Sequence, residues 1–124
     1  MDELYREIYS RNIGILTEVE QEKLRRSTIA ITDPGVFEES NFNRQFASSM
    51  LSLGQNKAEV IYRQLRDINP EARIDYSGEG IRTENDASLF VDGCDLVIDE
   101  MDYDLFKQSI YLQRAARRRG VHYF

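Results

Sequence analysis

The segment DLVID at residues 95–99 constrains the fold most, because it sets three consecutive apolar residues between two acids. Such a run is typical of a parallel strand that is buried on both faces. Other runs of strand length occur at Thr28–Ile31, Ala72–Tyr76 and Val121–Phe124. We therefore predict an α/β domain with a mostly parallel sheet of about four strands and helices on both faces. Thr28–Ile31 is expected in its centre, with Ile29 and Ile31 buried.

Helical signals separate the predicted strands and also precede the first of them. Thr17 and Glu20 fit a capping box that opens a helix over Glu18–Arg26, after a weaker helical segment near the N-terminus. Further helices are expected at Gln55–Asp67, Glu84–Val91 and Leu105–Arg118. We therefore divide the chain into an N-terminal helical segment, residues 1–27, and an α/β domain, residues 28–124.

Composition excludes several classes of function. The 124 residues are 41% hydrophobic, which is enough for a single core. The net charge of −6 argues against a nucleic-acid partner, since no dominant basic surface is expected. No apolar run approaches the roughly 20 residues that span a bilayer. With one cysteine, Cys94, the chain forms no internal disulfide, and a cytoplasmic location is expected.

The loop sequence DPGVFEESNFNRQFASSMLSLGQNK, residues 33–57, carries most of the chemical signals. Asp33 follows a strand, where an acid before Pro-Gly commonly starts a turn. Lys57 opens a helix, a poor position for a cation in the helix dipole, so a phosphate partner is favoured. This stretch resembles the nucleotide-binding segment of the ThiF/MoeB/HesA superfamily, which includes the ubiquitin-activating enzymes.

The resemblance implies a Rossmann-like domain and an ATP-dependent adenylyltransferase. Its target would be the C-terminal glycine of a ubiquitin-like or sulfur-carrier protein that ends in Gly-Gly, and its cofactors would be ATP and Mg²⁺. Asp33 would bind the ribose hydroxyls, and Arg44 and Lys57 would contact the phosphates. Asn41 and Gln45 would hold the loop and contact the nucleotide.

Two further residues match the family outside this loop. The stretch DLVIDEMD resembles the family's strand followed by Asp-x-x-Asp, which implies that Asp102 binds magnesium. A helix N-cap is the structural alternative for Asp102. Arg11 matches an arginine that crosses a homodimer into the partner's ATP site, and the alternative is a surface arginine. The resemblance thus assigns catalytic roles to Arg44, Lys57, Asp102 and Arg11.

The chain also departs from the family pattern. Thr28–Ile31 runs directly into Asp33, whereas the family has a glycine-rich phosphate loop, a helix and a second strand between them. Gly35 stands where the family has a second acid, and the family's C-terminal half is absent. Two hypotheses follow. One is an adenylyltransferase impaired by loss of the phosphate loop, and the other is a non-catalytic remnant or engineered fragment that serves binding or assembly.

Overall fold

The computed structural model of the chain describes residues 3–99, 101 and 105–124. Five helices are present in this part: α1 Glu3–Ile8, α2 Glu18–Arg26, α3 Lys57–Ile68, α4 Glu84–Phe90 and α5 Phe106–Arg119. Four strands accompany them: β1 Thr28–Thr32, β2 Arg73–Ser77, β3 Leu96–Val97 and β4 His122–Tyr123. Short 3₁₀ turns occupy Ser10–Asn12 and Glu39–Asn41. The predicted alternation of strands and helices is confirmed.

The four strands form two parallel pairs. β1 pairs with β2, in a register that sets Thr28 opposite Arg73, and β3 pairs with β4. No ladder links the two pairs in the described part of the chain. Instead, the Thr28 N–H donates to the Asp95 carboxylate across 3.2 Å. The prediction that Thr28–Ile31 lies centrally in one continuous sheet is therefore wrong, because a side chain takes the place of a backbone partner.

The described residues form two buried clusters. The larger cluster lies between α4, α5 and β3, and consists of Ile81, Ala87, Val91, Val97, Leu112, Ala115 and Ala116. The smaller one lies beneath α3 and consists of Phe37, Ala47 and Val60. Ile29 belongs to neither and is 52% exposed. Ile31, on the same face of β1, is half-buried. The expectation that Ile29 and Ile31 are buried is therefore wrong, because the face of β1 that carries both is only partly covered.

The outer face of β3 is also open. Val97 is buried against the helices, and Leu96 and Ile98, which flank it, point to the opposite face. Their exposed fractions are 42% and 64%. The prediction that this strand is buried on both faces is thus wrong, since helices cover only the Val97 side.

Local signals fix the ends of the helices. The Thr17–Glu20 capping box opens α2 as predicted, and Thr83 with Asp86 forms a second box at α4. Gly120 ends α5 with a φ of 70°, a left-handed conformation that favours glycine. In the described residues, none of the helices has the length and apolar character needed to cross a bilayer.

Candidate functional site

The candidate site starts at the turn that follows β1. The Asp33 N–H donates to the Ser77 carbonyl, which continues the pairing of β1 with β2 by one residue. The Asp33 carboxylate then turns back and accepts the Gly35 N–H through Oδ1 at 2.7 Å. Asp33 thus does start a turn, and the same turn leaves its second carboxylate oxygen for another donor.

The N-terminus of α3 meets this turn. The Lys57 N–H donates to the Gly35 carbonyl at 2.9 Å. A Cβ placed on Gly35 would lie 3.6 Å from Lys57 Nζ and 2.9 Å from Asp33 Oδ1. Gly35 thus lies next to both an ammonium group and a carboxylate. Because Asp33 and Lys57 form no ion pair with each other or with another described residue, both can bind a ligand with polar and anionic groups.

Asn56 holds this arrangement together, and the sequence prediction missed it. Its Nδ2 group donates to the carbonyls of Asp33 at 2.8 Å, Gly35 at 3.2 Å and Gly78 at 3.3 Å. Its Oδ1 accepts the Glu59 N–H and so caps α3. The one available signal was an N-cap residue directly before a helix-opening lysine.

The loop residues assigned to nucleotide binding lie in their own turn. Asn41 is buried, and its Oδ1 accepts the Glu38 N–H at 3.0 Å, so it does hold the loop. The exposed Arg44 donates to the Ser40 carbonyl at 2.8 Å and to the Asn43 side chain at 3.2 Å. Gln45 is half-buried. Within the described residues, no hydrogen bond or ion pair joins Asn41, Arg44 or Gln45 to Asp33 or Lys57.

Two assigned residues remain, Arg11 and Asp102. Arg11 is exposed in the 3₁₀ turn Ser10–Asn12. Asp102 lies outside the described residues. Asp99, at the end of β3, accepts the Met101 N–H at 2.9 Å and the Tyr123 hydroxyl. Burial, followed by the hydrogen bond and charge of Asp99, raises the pKa of Tyr123 well above its ordinary value.

An open cleft adjoins the turn after β2. It has a volume of about 430 Å³ and starts at Ser77, the last residue of that strand. Its wall combines apolar and charged side chains, namely Ile81, Leu89, Phe90, Glu79, Arg82 and Asp86. Arg82 and Glu79 pair with each other at 2.7 Å. The cleft falls within the size range of small-molecule sites.

Cys94 carries no sign of an activated thiol. It is half-buried, and its Sγ lies 3.3 Å from the Phe90 carbonyl as a hydrogen-bond donor. Burial raises the pKa of the Cys94 thiol, and the carboxylates of Asp75, Asp95 and Asp92 raise it further. The reactive thiolate is therefore disfavoured.

Comparison with known proteins places the chain in a family. The ThiF family model matches residues 26–124. An uncharacterised protein of Mycobacterium tuberculosis is 33% identical over 94 residues, which cover 76% of this chain and 13% of that protein. The tRNA threonylcarbamoyladenosine dehydratase of Haemophilus influenzae is 32% identical over 71 residues, covering 57% of this chain and 27% of the relative.

Solved structures share the fold. The E. coli tRNA N6-threonylcarbamoyladenosine dehydratase TcdA superimposes with a TM-score of 0.87 and 19% identity, over 98% of this chain and 60% of that one. E. coli MccB, solved with ATP, gives a TM-score of 0.80 and 22% identity, over 99% of this chain and 46% of that one. TcdA has also been solved with ATP and with AMP. The chain thus spans 13–27% of the two curated relatives and 46–60% of these two structures.

Proposed function

The chain belongs to the ThiF family, and on that premise we propose that it is the nucleotide-binding part of an ATP-dependent adenylyltransferase. One observation carries the proposal. The Asp33 carboxylate and the Lys57 ammonium both lie beside Gly35, in the turn that follows β1. A carboxylate suits ribose hydroxyls, and an ammonium group suits a phosphate oxygen. The fold neighbours solved with ATP support this choice of ligand.

Each remaining residue has a role in the proposal. Arg44 turns from the Ser40 carbonyl toward the phosphates, and such a cation stabilises the charge that develops during transfer. Asn41 keeps the loop in place from within. Gln45 contacts the nucleotide, and Arg11 acts across a homodimer.

Magnesium fits the chemistry of the proposed site less completely. Among the described residues, no group of three potential metal-binding side chains comes together. Asp102 is the proposed ligand, and a bound Mg²⁺ would neutralise phosphate charge. Asp99 would support it from the end of β3, where the Met101 N–H and the Tyr123 hydroxyl already fix its carboxylate.

The target of the proposed reaction is a carboxyl group at the end of a protein chain. We propose a ubiquitin-like or sulfur-carrier protein that ends in Gly-Gly, in the cytoplasm. The fold neighbours are named for different targets: one is a tRNA-modifying dehydratase, and MccB has been solved with MccA. Sequence identity to these neighbours is 19–22%, so they support the fold and leave the target to experiment.

The missing phosphate loop is expected to weaken binding. Hydrogen bonds to charged groups contribute about 1.5–3 kcal/mol each. Loss of two or three of them costs about 3–9 kcal/mol, or two to six orders of magnitude in affinity. The second candidate function follows from the same observation, since β1 runs directly into Asp33. It is a non-catalytic module that serves binding or assembly.

Two measurements test the proposal. Calorimetry with ATP and Mg²⁺ should detect weak binding that Lys57→Met removes and that Lys23→Met, on the exposed surface of α2, retains. ATP–pyrophosphate exchange with a Gly-Gly carrier protein should be at background. Exchange that disappears in Arg44→Ala or Asp102→Ala would establish an active enzyme. Equal ATP binding by both lysine variants would refute the proposed site.

A further inference from the structure

We propose that Asn56 is the positioning residue of this site, which takes over the support that a phosphate loop would give to the turn after β1. The proposal rests on the proposed function for its ligand and on the hydrogen bonds of Asn56 for its mechanism. Asn56 itself is proposed to contact neither the ligand nor a reacting atom. It acts through the backbone of the residues that border the site.

The Asn56 amide group lies among three backbone carbonyls. Asn56 Nδ2 lies within 2.8–3.3 Å of three backbone carbonyls, those of Asp33, Gly35 and Gly78. An amide nitrogen carries two hydrogens, so three acceptors share them. The Glu59 N–H, on the other side, requires an acceptor at Oδ1. These partners fix the orientation of the amide and exclude the flipped one.

The hydrogen bonds of Asn56 connect two turns to the start of α3. Asp33 and Gly35 belong to the turn after β1, and Gly78 belongs to the turn after β2. Asn56 itself caps α3, whose first residue is Lys57. One side chain therefore joins two strand ends to the helix that carries the ammonium group. The relative position of Asp33 and Lys57 depends on this junction.

Gly78 packs closely against the side chain of Asn56. A Cβ placed on Gly78 would lie 3.1 Å from Asn56 Cγ and 3.2 Å from Nδ2. These distances are shorter than ordinary van der Waals contact. The absence of a side chain at Gly78 therefore allows the Asn56 amide to reach the Gly78 carbonyl. The turn after β2 is thus shaped around Asn56, which is a second observation in favour of its role.

Serine separates the two functions of Asn56. Serine is a good N-cap residue, so Asn56→Ser keeps an acceptor for the Glu59 N–H. It has no amide group, so the bonds to the three carbonyls are lost. Thr17→Ala is the matched control, because it removes the N-cap of α2 at a distance from the site. Loss of a helix cap alone should therefore weaken α2 in the control and leave the turn around Gly35 unaffected.

Amide hydrogen exchange and an ATP titration, both followed by NMR, test the role of Asn56. In Asn56→Ser, the amides of Gly35 and Lys57 should exchange at least about tenfold faster, while that of Leu112 in the other core stays unchanged. The apparent Kd for ATP should rise about tenfold. Thr17→Ala should leave all of these values near wild type. Gly78→Ala, which displaces the amide but keeps residue 56, should reproduce the effects of Asn56→Ser.

The outcomes separate the two proposals. If the wild-type chain shows no ATP-induced shifts even at millimolar ATP, the proposed function fails, and the exchange rates still decide the role of Asn56. Wild-type exchange at Gly35 and Lys57 in the serine variant would overturn the positioning role. So would equal acceleration at Leu112, because it would reveal a general loss of stability.

Discussion

Asp33 Oδ1 accepts the Gly35 N–H across 2.7 Å, and the same oxygen would lie only 2.9 Å from a Cβ on Gly35. Position 35 thus tolerates the hydrogen bond only because it has no side chain. The conformation of this turn therefore depends on Gly35, which stands where the family has a second acid.

Gly35→Ala should lower the free energy of unfolding by about 1–2 kcal/mol, because the added methyl group forces the Asp33 carboxylate away from its donor. Urea denaturation measures the change. A double-mutant cycle provides the control, since the alanine should cost much less in an Asp33→Ala background. An equal cost in both backgrounds would show that the clash with Asp33 is not the cause.

Tyr123→Phe should destabilise the chain by about 1–2 kcal/mol, because it removes the hydroxyl donor of the Asp99 carboxylate. The raised pKa of Tyr123 adds a pH dependence. Its stabilising effect is complete below the unfolded pKa of about 10 and declines as the pH rises through the folded value. Urea midpoints from neutral to alkaline pH should therefore fall more steeply for the wild type than for the variant.

Acid should weaken the caps of α2 and α4. The Thr17 N–H, and then the Thr17 hydroxyl, lower the pKa of Glu20 by hydrogen bonding, and Thr83 does the same for Asp86. A lowered pKa contributes stability above the unfolded values of 4.5 and 3.8 that is lost as the pH falls through the folded values.

Glu20→Gln combined with Asp86→Asn should therefore flatten the decline of stability between about pH 5 and about pH 2. Urea unfolding over this range measures the effect. Glu3→Gln, an exposed acid outside both boxes, serves as control. A decline in the double variant as steep as that of the wild type would count against the capping assignment.

Asp95→Ala should release the junction between the two strand pairs, because it removes the acceptor of the Thr28 N–H. We expect a loss of about 0.5–1.5 kcal/mol and faster hydrogen exchange at Thr28. Asp75→Ala is the matched control, since Asp75 is exposed on β2 and shares the same neighbourhood of Cys94. Unchanged exchange at Thr28 in the Asp95 variant would contradict the assignment.

The order of helices and strands could be predicted from local signals in the sequence. The Thr17–Glu20 box, the apolar run before Asp33 and the glycine after α5 each act within a few residues, and each is found as predicted. Lys57 as the first residue of a helix is likewise confirmed. Such signals do not depend on how distant segments pack.

The arrangement of the strands could not be predicted in the same way. Whether β1 pairs on one side or both depends on Asp95, which is distant in sequence and bonds through its side chain. The role of Asn56 was also not predicted from the sequence, because its three carbonyl partners come from two turns that meet only in the folded chain. The functional roles assigned to the site residues all stay predictions, namely those of Arg11, Asp33, Asn41, Arg44, Gln45, Lys57 and Asp102.

The separation into two strand pairs has a consequence for folding kinetics. Each pair joins strands that are consecutive in sequence, β1 with β2 through α3 and β3 with β4 through α5. Among the described residues, each pair can thus form without any pairing between the two halves. The loop between paired residues is shorter in the second pair, from Leu96 to His122, than in the first, from Thr28 to Arg73. Its closure carries the lower entropic cost, so we expect the second pair to form first.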